Sequence, residues 1–133
     1  VSVSSEQSDE GPAKNALDGN PATYWHTQYD PKTFSPPHEI VWDLGKPSAI
    51  SGFSYLPRQD GGTNGNAKDY EFAWSLDGKE WTSKKGTFDS SLGRHGLMFP
   101  KTEARYCRFR ILSSQNGGPW GSAAEIDVIP AFR

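Results

Sequence analysis

The chain has 133 residues and a formal net charge of −2, with 14 Lys and Arg interspersed among 16 Asp and Glu. This length is typical of one ordinary domain, so we predict a single domain over residues 1–133. The mixed charges argue against a basic face, and therefore against a general binder of nucleic acid or anionic membranes. The single cysteine excludes an internal disulfide and a cysteine-based zinc cluster. No run of about 20 apolar residues is present that could span a membrane.

The first residues, VSVSSEQSDEG, do not have the pattern of a signal peptide. We therefore expect the chain to be one domain of a longer protein.

Short segments with alternating apolar residues, separated by Gly, Pro, Asn and Asp, predict β-strands. In chain order they are EIVWDLG (39–45), AISGFSYLP (49–57), DYEFAWS (69–75), RYCRFRIL (105–112) and AEIDVIPAF (124–132). Asp77-Gly78 predicts a hairpin turn after the third segment, because Gly tolerates the positive φ that such a turn needs. Several short strands joined by turns indicate an all-β sandwich.

The large residues of these segments are predicted to form the core. A free cysteine within a strand is most simply a buried thiol. Trp25, in the first loop, is also predicted to be buried. The predicted core therefore includes Trp25, Trp42, Phe72, Trp74, Cys107 and Phe109. By contrast, His38 and His95 are predicted to lie at the surface.

The polar stretch NALDGNPATYWHTQY (15–29) forms the first long loop and has no hydrophobic period. Asp18, Asn20 and Thr23 can all present oxygen within a few residues, and Glu125 precedes the last predicted strand. If the chain ends lie side by side, these oxygens and nearby carbonyls could supply the six to eight ligands of Ca²⁺. The alternative is an Asx turn with a solvated Glu, since the spacing is not that of an EF-hand.

Taken together, NALDGNPATYWHT, VWDLG, DYEFAWSLDGKEW, RYCRFRI and AEIDV resemble the factor V/VIII type C, or discoidin-like, domain. More narrowly, they resemble the family 32 carbohydrate-binding modules of secreted bacterial glycoside hydrolases. The resemblance covers nearly the whole chain, with the motifs in the family's order. It implies a jelly-roll β-sandwich of about eight antiparallel strands.

The resemblance also implies one structural calcium ion that ties the two chain ends together. Asp18 and Glu125 would bind through their carboxylates, and Thr23 through its hydroxyl and carbonyl oxygens. The backbone carbonyls of Asn15, Asn20 and Ala124 would complete the set of ligands.

In galactose-binding members of the family, a small set of residues forms the sugar site. The resemblance carries these roles to His26, Tyr29, Arg58, Asn64 and Trp120, with Asn66 as the alternative to Asn64. Other interpretations stay open at this stage. His26 could make only a structural hydrogen bond, Arg58 could be a solvated loop charge, and RQDGGTNGNAK (58–68) could be a tip that merely links strands.

The residue types suit a pyranose independently of the family. An indole can cover the apolar C–H face of galactose, while Arg, Asn and neutral His fix its hydroxyls. Such a shallow site is expected to bind with a Kd of roughly 0.1–1 mM.

The predicted function is a non-catalytic, monomeric module that recognises galactose or N-acetylgalactosamine termini and targets a linked glycoside hydrolase outside the cell. No G-x-S-x-G motif is present, and the carboxylates fall mostly on strand surfaces and turns. The alternatives are a discoidin-type lipid-binding domain or a protein-binding module without sugar affinity. Lipid binding is the least favoured alternative, because the loops hold Asp60 beside Arg58 and so offer a poor surface for anionic lipid.

Overall fold

The computed structural model describes residues 1–131, and these form an all-β structure. Residues 132 and 133, including the predicted end of the last strand, lie outside the described part. Within residues 1–131 the one helix is a short 3-10 turn at Ala13–Leu17, and no helix could cross a membrane. The strands are β1 (Ser2–Val3), β2 (Trp25–His26), β3 (His38–Leu56), β4 (Asp69–Ser75), β5 (Thr82–Thr87), β6 (His95–Ile111), β7 (Ser122–Ala123) and β8 (Glu125–Pro130).

Two long strands, β3 and β6, pair antiparallel with each other and take part in both layers of the sandwich. One part of the sheet has the strand order β1-β3-β6-β4-β5, and β3 and β6 contribute residues 38–43 and 106–111 to it. Beyond a register shift between Asp43 and Ser48, the second half of β3 pairs with β8 as well as with β6. The sequence predicts two separate strands at 39–45 and 49–57, whereas the structure joins them through this irregular section. The β-sandwich itself is confirmed.

The core lies between these layers and is rich in aromatic rings. Phe53 of β3 stacks on Phe72 of β4 at 4.3 Å between ring centroids, and Tyr55 stacks on Phe109 at 5.4 Å. The predicted core residues are all buried, including Trp25 and Cys107. Burial raises the pKa of the Cys107 thiol to about 12, so this cysteine is a packing residue rather than a nucleophile.

The hairpin that joins β4 to β5 is confirmed, with Gly78 at φ 77°. The Asp77 carboxylate accepts backbone N–H bonds from Lys79 and Glu80, as an Asx turn does. The first half of β6 was not predicted. Only two of its ten residues, Phe99 and Ala104, are buried, and it contains Pro100, so the sequence gives only a weak alternating pattern there.

The prediction that His38 and His95 lie at the surface is wrong for His38, and His95 is half-buried rather than fully exposed. His38 opens β3 and is 1% exposed, because its imidazole lies beneath the loop that precedes β7. His95 packs against Phe88 with ring centroids 4.7 Å apart. In both cases a histidine next to Pro or Gly reads as loop, and only the fold shows what covers it.

Candidate functional site

One end of the sandwich carries a cleft of about 280 Å³. The described residues that line it come from four separate stretches of the chain. They are Glu10, His26, Tyr29, Arg58, Asn64 and Trp120. The structure therefore brings together all the side chains that the sequence predicts for a sugar site, and adds Glu10. A larger cleft of about 470 Å³ lies at the opposite end, around Trp74 and Trp81, and contains none of them.

His26 lies in β2, which pairs with β7 through Trp25–Ala123 and His26–Ser122. Its Nδ1 atom lies 2.7 Å from the Thr27 carbonyl oxygen, which can only accept, so Nδ1 carries the proton. Burial lowers the pKa of His26, so the ring is neutral at pH 7. The neutral ring then presents Nε2 as a hydrogen-bond acceptor.

Arg58 follows β3 and is 8% exposed, so the idea of a solvated loop charge is wrong. Asp60 accepts from Nε at 2.8 Å and from Nη2 at 2.6 Å, a bidentate pair that also lowers the pKa of Asp60. Nη2 donates further to the Tyr24 hydroxyl at 3.0 Å, and Nη1 to the Asn64 carbonyl at 3.3 Å. A guanidinium has five N–H donors. One Nη1 N–H is thus left without an acceptor among residues 1–131.

The structure distinguishes Asn64 from Asn66. Asn64 is exposed and lines the cleft, whereas Asn66 is 4% exposed and does not. The Asn116 amide donates to Asn64 Oδ1 at 2.9 Å, which leaves the Asn64 amide nitrogen as a donor toward solvent. The segment 58–68 is therefore more than a linking tip, because it positions both Arg58 and Asn64.

Trp120 lies on a loop that two histidine-bearing segments hold in place. His38 Nε2 donates to the Pro119 carbonyl at 2.6 Å. The Thr27 N–H donates to the Gly121 carbonyl at 2.9 Å, and the Gly121 N–H donates to the Thr27 hydroxyl at 3.0 Å. The ring of Trp120 lies directly against Gly118, where an added Cβ would come within 2.5 Å of the indole. The indole is half-buried rather than in the core. One face is supported by the loop, and the side chain still borders the cleft.

Glu10 was missed by the sequence analysis, because it stands alone in a polar segment. Its carboxylate accepts from the Tyr24 hydroxyl at 2.6 Å and from the Tyr29 hydroxyl. These two hydrogen bonds lower the pKa of Glu10, so it is ionised at neutral pH. Tyr29 is 39% exposed and meets the His26 ring edge-on at 5.3 Å. Glu10 and Tyr29 thus line one wall of the cleft, and the Tyr24 hydroxyl holds the Glu10 carboxylate in place.

The predicted metal-binding loop has its polar oxygens turned inward on one another. Asp18 accepts from the Asn20 N–H at 2.9 Å and from the Thr23 hydroxyl at 2.5 Å. Although burial opposes the effect, these bonds lower the pKa of Asp18. Asn15 donates its side-chain amide to the Tyr24 carbonyl. The loop reverses at Gly19, at φ 72°.

Glu125 opens β8 and faces this loop. It is 2% exposed, and neither carboxylate oxygen has a hydrogen-bond partner among residues 1–131. Burial, with the nearby carboxylates of Asp127 and Asp18, raises the pKa of Glu125 to about 7. The preceding residue, Ala124, is fully buried beside it. The alternative of a solvated Glu is therefore wrong, and a bare buried carboxylate is costly.

The chain matches the family model of the F5/8 type C domain over residues 1–126. It is 39% identical to a sialidase from Micromonospora viridifaciens over 132 residues, which covers 95% of the chain and 20% of the relative. It is also 39% identical to galactose oxidase from Gibberella zeae over 122 residues, 87% of the chain and 18% of the relative. The chain thus spans about a fifth of these curated relatives.

Two solved structures from Clostridium perfringens show the same fold together with a bound sugar. The module CpGH89CBM32-5, in complex with GalNAc-β-1,3-galactose, superposes with a TM-score of 0.88 at 37% identity over 96% of this chain and 92% of its own. The family 32 module of NanJ, in complex with galactose, gives a TM-score of 0.83 at 27% identity over 96% of this chain and 90% of its own.

Proposed function

Since the chain belongs to the F5/8 type C domain family, we propose that it is a non-catalytic carbohydrate-binding module for galactose- or N-acetylgalactosamine-terminated glycans. The observation that carries this proposal is the convergence of His26, Arg58, Asn64 and Trp120 on one cleft. The two Clostridium perfringens modules, whose structures hold sugars of these types, support the same ligand class.

The cleft offers complementary chemistry to a pyranose. The apolar C–H face of the sugar packs on the Trp120 indole, which removes apolar surface from water at about 25 cal/mol per Å². The remaining Nη1 N–H of Arg58 and the Asn64 amide donate to ring hydroxyls, and the His26 Nε2 atom accepts from one. Because the side chains of Arg58, His26 and Asn64 are already held by Asp60, Thr27 and Asn116, little side-chain entropy is lost on binding.

A shallow module of this kind acts by tethering. We propose that it works outside the cell as a monomer and holds a covalently linked glycoside hydrolase near its substrate, where weak affinity suffices. The sialidase relative, of which the matched part is only a fifth, supports such a multidomain arrangement.

The experiment is a calorimetric titration of the protein with galactose and N-acetylgalactosamine. We expect a Kd of about 0.1–1 mM for the wild type and no measurable binding for Trp120→Ala. Trp81→Ala is the matched control, since Trp81 is also partly exposed but lines the opposite cleft. Equal binding by both variants, or no binding by the wild type, would contradict the proposal. Co-sedimentation with phosphatidylserine vesicles would instead favour the lipid-binding alternative.

We further propose a structural calcium ion between the first loop and β8. The unpartnered, buried oxygens of Glu125 support it, because a cation would offset their desolvation. Among residues 1–131, no three His, Cys, Asp or Glu side chains are placed so that they could hold a metal ion together, so a hard ion would need neutral oxygens as well. The expected ligands are the carboxylates of Asp18 and Glu125, the Thr23 hydroxyl, and carbonyls of Asn15, Asn20, Thr23 and Ala124.

A further inference from the structure

The charges that line or contact the cleft do not cancel. Arg58 is positive, but Asp60 pairs with it through two hydrogen bonds. Glu10 remains as a second carboxylate, 3.7 Å from Arg58 Nη2 and satisfied mainly by tyrosine hydroxyls. Because His26 is neutral, these groups leave the cleft with a net negative formal charge.

Further carboxylates lie on the same side of the cleft. The hydrogen bond to Glu10 is the main cause of the raised pKa of the Tyr29 hydroxyl, and Asp9 and Asp30 lie close enough to contribute. The Glu10 side chain is 32% exposed and borders the cleft directly. A carboxylate has about four lone-pair sites, so the hydroxyls of Tyr24 and Tyr29 do not exhaust its capacity to accept.

The size of the cleft makes this charge effective for any pose of a sugar. A volume of 280 Å³ equals a cube with an edge of about 6.5 Å, which is shorter than the Debye length of about 10 Å at 0.1 M salt. A charged substituent on the part of a sugar that lies inside the cleft therefore interacts with Glu10 without full screening.

We propose that this cleft selects galactose-type sugars by charge, with Glu10 as the specificity-determining residue. It binds neutral sugars and those with a protonated amine, and it discriminates against sugars that carry a carboxylate or sulfate. The inference rests on the proposed function and narrows its ligand class to glycan termini without acidic substituents.

The test compares galactose, galactosamine and galacturonic acid by calorimetry near neutral pH and low salt, where the amine is largely protonated and the acid ionised. In the wild type, galactosamine is expected to bind about two- to fivefold more tightly than galactose, the size that exposed ion pairs reach, and galacturonate correspondingly more weakly. Glu10→Gln should bring the three affinities together, and so should high salt. Glu80→Gln, at the opposite end, is the control and should keep the wild-type order.

Two outcomes overturn the inference while galactose still binds: galacturonate as tight as galactose in the wild type, or a spread of affinities unchanged in Glu10→Gln. Loss of galactose binding by the wild type would overturn the proposed function itself, and a charge effect cannot mimic that result.

Discussion

His38 Nε2 donates a hydrogen bond to the carbonyl oxygen of Pro119 at 2.6 Å, although the two residues lie 81 positions apart in sequence. The imidazole also lies against Gly121, where an added Cβ would come within 2.8 Å of its Cδ2 atom. The bond joins the first residue of β3 to the loop that carries Trp120. The indole that we propose as the sugar platform therefore depends on a buried histidine outside the cleft.

Replacing this histidine should affect both folding and binding. His38→Ala leaves the Pro119 carbonyl without its donor, so we expect the free energy of unfolding to fall by about 1–3 kcal/mol. Without this bond the loop that carries Trp120 should be less ordered. Galactose binding should then weaken by roughly tenfold, which corresponds to about 1.4 kcal/mol of binding free energy. His38→Gln keeps an N–H donor and should restore part of the affinity. Urea unfolding and calorimetry check the two effects, and an unchanged affinity in His38→Ala would show that the loop orders itself.

Galactose binding should depend on pH through His26. Its pKa lies below the ordinary value of 6.5, and the sugar needs the unprotonated Nε2 as an acceptor. Affinity should therefore be level above about pH 6.5 and fall as the pH drops toward the lowered pKa. Calorimetry at several pH values, with calcium present, would measure this. A rise in affinity on acidification would contradict the assigned tautomer.

The contribution of the two buried histidines to stability should follow the same direction, whereas the raised pKa of Glu125 acts in the opposite sense in the calcium-free protein. His26 and His38 both have pKa values lowered by burial, so the unfolded chain binds protons before the folded one does. Their contribution is fully present above the unfolded pKa of about 6.5 and is lost as the pH falls below it. Denaturant unfolding of the wild type and His26→Gln at about pH 5 and 7.5 tests this. The acid-side loss should be smaller in the variant, and an equal loss in both proteins would be the contrary result.

The parts of the fold that could be predicted from sequence are those with dense local signals. The second half of β6 alternates buried and half-buried residues, β4 is mostly buried and β8 begins with two buried residues. The glycine of Asp77-Gly78 gives the hairpin turn its positive φ. The first half of β6 could not be predicted, because few of its side chains are buried. The continuity of β3 could not be predicted either, because Gly45 ends the first alternating segment and the sequence does not show that pairing with β6 resumes after a register shift.

The site shows the same division. His26, Arg58, Asn64 and Trp120 were found through family motifs, and the structure brings them to one cleft. Glu10 was not found, because a single Glu in a polar segment is indistinguishable from a solvated charge. Its position depends on two tyrosines that lie 14 and 19 residues further on. Long-range partners of this kind carry no local sequence signal.

A small change at Gly62 should disable Arg58 without unfolding the protein. An added Cβ there would lie 2.8 Å from the guanidinium carbon, which is already fixed by Asp60. Gly62→Ala should therefore displace the guanidinium and weaken galactose binding by about tenfold, while stability changes by no more than about 1 kcal/mol. Gly93→Ala is the matched control, since its Cβ would meet only Ser91 Oγ at 3.6 Å. Calorimetric affinities that are equal for the two variants would show that Arg58 makes no contact with the sugar.

Calcium should reverse the effect of neutralising Glu125. Without calcium, the buried carboxylate of the wild type lies near Asp18 and Asp127 with no donor, so Glu125→Gln should be as stable as the wild type or more stable. With calcium at a hundred times its Kd, the wild type should gain about 2.7 kcal/mol, and the variant, without one carboxylate ligand, should gain much less. Thermal unfolding with chelator and with excess calcium measures both states. Glu80→Gln, an exposed residue of the β4–β5 turn, should follow the wild type throughout. Identical calcium-induced shifts for wild type and Glu125→Gln, or no shift in either protein, would leave the loop at 15–23 as an ordinary Asx turn.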